Sequence, residues 1–253
     1  MSGEVVSVAP LEIRVVIRNP GPVEVGPLDV VGELQGERRE ARVSSGIGPG
    51  ETAAVVLPFA APPPRPGLYA LVLLLEHPVA GVPDAAGSPP RASQRAWLLL
   101  ALGARPDAAV TLRGEPCVID AQGALRVRVE SKDGEPHRVS LQAHADPGLR
   151  FEGRTVELAV PASGPVTASL PLARAGAARG SRHEVLVVAE PLDGPLARAS
   201  VASATVDVAP DPSLLPRLHR PLLATGVLLL ALAALAEVRA RRTALRASAP
   251  PAD

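Results

Sequence analysis

The sequence predicts an all-β protein with two tandem β-sandwiches, followed by one transmembrane α-helix. Three observations support this fold class. The 29 Pro and 22 Gly residues are spread along the chain, as expected for many turns between short strands. Strand-like runs recur in two similar halves, and neither half has an amphipathic helix pattern. One charge-free apolar stretch, 222–236, lies near the C-terminus.

The first sandwich is predicted over residues 1–103. Apolar and polar residues alternate from Leu11 to Ile17, which is the period-2 pattern of a half-buried strand. Residues 67–76 are apolar on both faces, which predicts a strand inside a sheet. A Pro-rich connection at 62–66 and a long loop at 78–95 are also expected. The predicted strands are 11–17, 28–34, 52–59, 67–76 and 94–102.

The second sandwich is predicted over residues 108–209, after a short linker at 104–107, because the chain repeats itself there. Pro22 recurs as Pro136 at an offset of 114 residues. Gly67 recurs as Gly180 at an offset of 113 residues. A register held this closely along the chain indicates a duplicated unit of about seven strands.

Three motifs carry a resemblance to a known family of domains. They are Val15-Val16-Ile17-Arg18-Asn19-Pro20-Gly21, Gly50-Glu51-Thr52 and Pro66-Gly67-Leu68-Tyr69. Their order resembles the bacterial immunoglobulin-like repeats of the CARDB/NEW3 type. In the second half Asp133 replaces Asn19 and His183 replaces Tyr69, so the match there depends on the internal repeat. The resemblance implies immunoglobulin-like sandwiches with adhesive, spacer or partner-binding roles, and it implies no catalytic residue.

Residues 221–238 are predicted to form a single membrane-spanning helix. These 18 residues would extend about 27 Å as a helix, close to the ~30 Å of a hydrocarbon core. Arginines flank the stretch on both sides, which favours a membrane over the alternative of a buried helix in a soluble domain. The predicted anchor residues are Pro221, Leu222, Leu223, Val227, Leu228, Leu229, Leu230, Leu232 and Leu235.

The charges around the span predict its orientation. Four arginines follow the span and two precede it, so the basic tail at 239–253 is expected in the cytoplasm. The sandwiches then lie outside, on a Pro-rich stalk at 210–220. Residues 1–19 show no signal-peptide pattern, so a tail-anchored protein with cytosolic sandwiches is the alternative. The predicted topology-setting residues are Arg239, Arg241, Arg242 and Arg246.

Composition narrows the compartment and the classes of partner. All basic residues except Lys132 are Arg, and this usage, with many Ala and Pro, is typical of GC-rich bacteria. The predicted location is therefore the bacterial inner membrane, with the lipid bilayer as one partner. The formal net charge is zero and aromatic residues are 2% of the chain, which argues against nucleic acid.

The sequence carries no pattern of an active site, so an enzyme, a cofactor and a small-molecule substrate are not expected. The Gly-rich loop at 46–50 lacks the Lys-Ser/Thr of a P-loop, and there is no Gly-Xaa-Ser-Xaa-Gly elbow. The histidines lack zinc-ligand spacing, and no metal is predicted. Cys117 is expected to be a small buried apolar residue.

The favoured hypothesis is a non-enzymatic single-pass membrane protein whose sandwiches form a protein-binding or structural module at the bacterial envelope. Sandwiches bind partners through edge strands and end loops. The candidate surfaces are therefore the loop at 78–95 and the Pro-rich connections. The alternative is an accessory subunit of a larger membrane complex, with cytosolic domains on a C-terminal tail anchor.

Overall fold

The computed structural model describes residues 1–79, 90–153 and 155–211, and all regular structure in these ranges is β-strand. No helix that could cross a membrane occurs in these ranges. The predicted span at 221–238, the tail at 239–253 and the stalk beyond residue 211 lie outside the described residues. The anchor and topology residues predicted above therefore stay predictions.

Seven strands build the first sandwich. They are β1 (Ser2–Val8), β2 (Leu11–Arg18), β3 (Leu28–Leu34), β4 (Glu37–Val43), β5 (Thr52–Phe59), β6 (Gly67–Pro78) and β7 (Arg91–Leu102). One sheet has the order β1-β2-β5, and the other has the order β4-β3-β6-β7. All of these pairs are antiparallel.

Ten strands follow in the rest of the described chain. They are β8 (Val110–Gly114), β9 (Cys117–Ile119), β10 (Gln122–Ser131), β11 (His137–Ala145), β12 (Leu149–Phe151), β13 (Thr155–Val160), β14 (Val166–Arg174), β15 (Arg182–Pro191), β16 (Ala197–Arg198) and β17 (Ser200–Val208). Their sheets have the orders β12-β14-β10-β8 and β13-β11-β15-β17-β9, while β16 joins the first sandwich.

The two halves share one strand order. The sheets β1-β2-β5 and β4-β3-β6-β7 correspond to β8-β10-β14 and β13-β11-β15-β17 of the second half. Two antiparallel sheets with this arrangement of seven strands form an immunoglobulin-like sandwich. A tyrosine corner at the start of β6 supports this class, because the Tyr69 hydroxyl donates to the Arg65 carbonyl at 2.5 Å. The structure thus shows the immunoglobulin-like fold that the repeat and the motifs predict.

Each sandwich has its own apolar core, built by the period-2 alternation of its strands. On β5 Val55, Leu57 and Phe59 share one face and are buried, whereas Val56 between them is 45% exposed. The largest buried side chains of the first core include Leu11, Ile13, Leu57, Phe59, Tyr69, Leu71 and Leu73. Those of the second include Ile119, Leu125, Leu141 and Leu172.

The Asn-Pro-Gly motif has a structural role at the end of β2. The Asn19 side chain is 6% exposed, and its amide donates to the carbonyls of Val23 at 2.8 Å and Ile47 at 2.9 Å. Its side-chain oxygen accepts the Gly21 N–H at 3.0 Å. Asn19 therefore connects the turn at Val23 to the loop at Ile47 through side-chain hydrogen bonds to the backbone.

The structure corrects the sequence-based prediction at three places. The sequence does not predict strands β1 and β4, because neither shows a clear apolar alternation. The predicted loop at 78–95 is shorter than expected, since β6 runs to Pro78 and β7 already begins at Arg91. The polar residues at the start of β7 conceal this strand in the sequence, although it pairs with β6 through to the Pro78–Arg91 pair.

Candidate functional site

The two sandwiches pack against each other through the outer faces of their larger sheets. Leu71 and Leu73 point into the first core, so Val72 between them faces outward, yet it is only 3% exposed. In the same way Leu186 on β15 faces out of the second core and is 2% exposed. Residues 1–209 form one compact unit, and side chains of both halves line a small cavity of about 20 Å³ between the sheets. The outer faces are therefore a contact surface within the chain.

A strand of the second half completes the first sandwich. Strand β16 pairs parallel to the start of β6, with Ala197 opposite Gly67. The Ala197 N–H donates to the Pro66 carbonyl at 2.9 Å, and the Ala199 N–H donates to the Leu68 carbonyl at 3.0 Å. Ala197 is fully buried within the first core. The two halves are thus joined by backbone hydrogen bonds as well as by side chains.

Arg65 anchors the same junction from the Pro-rich connection. Its guanidinium reaches the turn after β15 and has acceptors within 3.4 Å there. The acceptors are the carbonyls of Pro191, Leu192, Asp193 and Gly194 and the carboxylate of Glu190. Gln35 also donates to Glu190 at 2.8 Å. The predicted Pro-rich surface at 62–66 is therefore used inside the molecule, where it binds the second half.

Charged side chains cluster at one side of this junction. Arg95 lies 4.0 Å from Asp146, and His144 lies 3.9 Å from Glu33, so both pairs join the two halves. Burial lowers the pKa of Arg95 and the pKa of His144, because removal from water disfavours their charged forms. His183 contacts Asp146 at 3.4 Å on the other side. These pairs place titratable groups within a partly buried contact.

Asp133 organises a second polar network near the linker. Its carboxylate lies 2.8 Å from His137 and 2.6 Å from Arg198, and it also accepts the Glu135 N–H at 3.1 Å. The His137 hydrogen bond is the main reason that the pKa of Asp133 is lowered far below its usual range. Arg198 also donates to the Asp107 carbonyl at 2.8 Å. The network ties the linker to the turn before β11.

The histidines and carboxylates do not converge in the described part of the chain. No group of three or more His, Cys, Asp or Glu side chains that could hold a metal is found there. Asp133 and Asp146 belong to the two separate networks above. Cys117 is half-buried against the second core, and burial, followed by the charge of Asp207, raises the pKa of its thiol.

Strand β7 forms an open edge of the first sandwich. Its 12 residues pair with β6 on one side, and no described strand pairs with its other side. Trp97 is 40% exposed and Leu99 is 41% exposed on its outer face. Residues 96–102 carry no charge. Long apolar edges of this kind are rare on isolated domains, because they offer free main-chain donors and acceptors to another strand.

The opposite edge of the same sheet, formed by β4, is charged where the β7 edge is apolar. Strand β4 carries charged side chains, including Arg38, which pairs with Glu40 at 3.1 Å. Charged edge strands resist pairing with another chain. The sequence prediction names the loop at 78–95 as a binding surface and does not single out Trp97 or Leu99. In the sequence, the only sign of this edge is that residues 96–102 are apolar on both faces and end the first sandwich.

Comparison with known proteins gives no family for this chain. The sequence matches no protein-family model. No curated protein matches it either.

Several solved structures resemble the fold, all at low identity. An Escherichia coli alpha-2-macroglobulin activated by porcine elastase matches 79% of this chain and 21% of its own, with 13% identity and a TM-score of 0.31. CBD12 from CALX1.2 matches 78% of this chain and 92% of its own, with 14% identity and a TM-score of 0.28. A protein of unknown function from Porphyromonas gingivalis W83 matches 78% of this chain and 90% of its own, with 16% identity and a TM-score of 0.28.

At such low TM-scores, these similarities identify neither the family nor the function of this chain. This chain also spans only 21% and 17% of two of the alpha-2-macroglobulin chains that it matches. The immunoglobulin-like class stated above rests on the strand pairing and the tyrosine corner of this chain.

Proposed function

We propose that this chain is a non-enzymatic, single-pass membrane protein whose joined sandwiches bind a protein partner at the bacterial envelope. The observation that carries the proposal is the edge of β7, where Trp97 and Leu99 are exposed beside backbone groups that no described strand pairs. The charge-free stretch at 222–236 supports membrane anchoring. The turn at Asn19 and the corner at Tyr69 support a relation to the CARDB/NEW3 repeats.

The occupant proposed for this edge is an extended segment of a second protein, added to the sheet beside β7. Main-chain hydrogen bonds would give affinity, and alternating contacts with Trp97 and Leu99 would give specificity. Because residues 96–102 carry no charge, the partner segment should be mainly apolar along that half. Trp is a frequent anchor in interfaces because it buries a large area.

The edge can be tested by substitution and capture from detergent-solubilised membranes through an N-terminal tag. The double variant Trp97→Glu, Leu99→Glu places charges at the edge and should lose a stoichiometric partner that the wild type retains. Val118→Glu on β9 is the matched control, because Val118 is another exposed apolar residue on a strand at a sheet edge. Equal capture by all three proteins would contradict a partner at β7. Recovery of only a second copy of the chain would mean that β7 binds another copy of the same chain and not a different protein.

The second candidate is an accessory subunit of a larger membrane complex, with cytosolic sandwiches on a tail anchor. The interlocked junction at Arg65 and Ala197 favours it, because a fixed orientation of two domains suits a subunit held at several points. Protease treatment of intact spheroplasts separates the two candidates. Digestion of the sandwiches would support the envelope-facing orientation, and survival until the membrane is broken would support cytosolic domains.

A further inference from the structure

A cleft opens between the two sandwiches beside their contact. It has a volume of about 400 Å³, within the range of small-ligand sites. The first sandwich contributes Arg38, Arg95 and the carboxylate of Glu33 to its lining. The second contributes Arg150 and His144 together with the apolar side chains of Leu149 and Phe151. The cleft therefore combines a cationic side with an apolar wall.

Arg95 is the unusual residue in this cleft. Its side chain is only 17% exposed, and its Nε is buried with no hydrogen-bond partner in the described part of the chain. The nearest carboxylate oxygen, on Asp146, is 4.0 Å from that nitrogen. A buried guanidinium normally has each of its N–H donors hydrogen-bonded, because an unsatisfied buried donor costs about 1–3 kcal/mol. Its flat fork of N–H groups suits a carboxylate held by two hydrogen bonds.

The neighbouring carboxylates also have histidine partners. Asp146 also contacts His183, and Glu33 lies beside His144. Arg38 is paired with Glu40, which leaves Arg95 and Arg150 as the cations that face the cleft. Arg150 is exposed and makes no ion pair with any described residue. An anion in the cleft would meet two arginines that donate no hydrogen bond to another described residue.

We propose that this cleft binds an organic carboxylate. The carboxylate oxygens accept hydrogen bonds from Arg95 and are attracted by Arg150, while the apolar body of the ligand packs against Leu149 and Phe151. The carboxylate belongs either to a free organic acid or to an acidic side chain of a peptide. Both sources present the same group to the guanidinium, and the choice of probe separates them.

Trp97 provides a direct reporter of binding. It is the one tryptophan of the chain, and it lies two residues after Arg95 on the same face of β7. Their Cα atoms are about 7 Å apart along an extended strand. Its fluorescence should therefore change when the cleft is occupied.

The experiment titrates the full-length chain in a non-ionic detergent with cyclohexanecarboxylate and follows Trp97 emission. A saturable change is expected, with at least tenfold weaker binding of the neutral cyclohexanecarboxamide. A capped tripeptide Gly-Glu-Gly is titrated in parallel. Tighter binding of the tripeptide would assign the site to acidic peptides, and tighter binding of the cyclic acid would assign it to free organic acids.

Three variants test the residues. Arg95→Lys keeps the charge but loses the fork, so binding should weaken about tenfold. Arg150→Gln should weaken binding several-fold and leaves the fold intact, because Arg150 is exposed and has no ion-pair partner among the described residues. Arg14→Lys on β2 is the control, since Arg14 is exposed on the other sheet of the first sandwich. The proposal is overturned if the emission does not saturate, or if Arg150→Gln and Arg95→Lys bind as tightly as Arg14→Lys.

Discussion

The junction of the two sandwiches should fail when Gly67 is replaced by alanine. Gly67 has a φ of +142°, and a Cβ at this position would lie 2.2 Å from the Ala197 carbonyl oxygen and 2.5 Å from its nitrogen. Both contacts are with backbone atoms, so a rotamer change cannot relieve them. Strand β16 must therefore move away from β6 in Gly67→Ala.

The size of the effect follows from the contacts that would be lost. Two backbone hydrogen bonds, from Ala197 and Ala199, contribute about 1 kcal/mol each. The buried methyl of Ala197 contributes about 0.8 kcal/mol. The junction should therefore lose about 3 kcal/mol, which corresponds to roughly a 150-fold change in its opening equilibrium.

Hydrogen exchange read by mass spectrometry measures this opening at the two amides themselves. In Gly67→Ala the amides of Ala197 and Ala199 should exchange about 150-fold faster than in the wild type when exchange follows the opening equilibrium. Gly176→Ala is a matched control, because Gly176 has a φ of +143° but a Cβ added there would meet no atom within 4 Å. Strain from the φ angle alone would act equally in both variants.

Two results would refute this reasoning. One is unchanged exchange at Ala197 and Ala199 in Gly67→Ala, since the clash is with the backbone that carries these amides. The other is equal acceleration at these amides in Gly176→Ala, which would mean that the backbone conformation and not the close approach of β16 is responsible.

Three further predictions concern single side chains. Tyr69→Phe removes the hydrogen bond to Arg65 and should lower the free energy of unfolding by about 1 kcal/mol in urea titrations, and an unchanged midpoint would contradict the tyrosine corner. Arg65→Met should cost about 2 kcal/mol in the same assay, because it leaves the acceptors after β15 without their donor. Burial lowers the pKa of His144 below its usual ~6.5, so its contribution to stability is complete above that pH and is lost as the pH falls through the folded pKa. Unfolding at pH 7.5 and 5.5 should show this loss, at most about 1.4 kcal/mol per pH unit, and His144→Gln should reduce it; an undiminished loss would contradict the assignment.

The strands that face a core could be predicted, because burial imposes alternation on the sequence. Strands β2, β3 and β5 lie within a residue of the predicted ranges. Strand β4 could not be predicted in this way, since its outward side chains are solvated and their charges pair with each other. A strand at the edge of a sheet needs no apolar stripe on its exposed face.

The contact between the sandwiches could not be predicted from the repeat. A constant offset shows that a unit was duplicated, but it contains no information about which faces of the two copies meet. Two features of the sequence were nevertheless consistent with the contact. Residues 67–76 are apolar on both faces, which the prediction assigns only to a place inside a sheet, and the second sandwich in fact covers Val72. Arg65 stands alone among prolines, and only the fold shows the carbonyls that it binds.

The sequence does not predict the two candidate sites, the edge of β7 and the cleft, for a related reason. The apolar edge and the cleft both depend on what is left uncovered after the sheets have paired and packed. Trp97 and Arg95 lie two residues apart on one face of β7, yet the first is exposed and the second is partly buried by the other sandwich. Sequence spacing fixes the shared face, whereas the packing of the second half decides the surroundings of each residue.

Site-specific photo-crosslinking in native membranes tests the central claim, a protein partner at the edge of β7, most directly. A photoreactive amino acid is placed at Leu99 in one protein and at Val118 in another, both exposed in the structure. A partner at β7 predicts a single discrete adduct from Leu99, larger than the chain by the mass of a different protein, and no such adduct from Val118. Absence of an adduct from Leu99, or the same adduct from both positions, would contradict the claim.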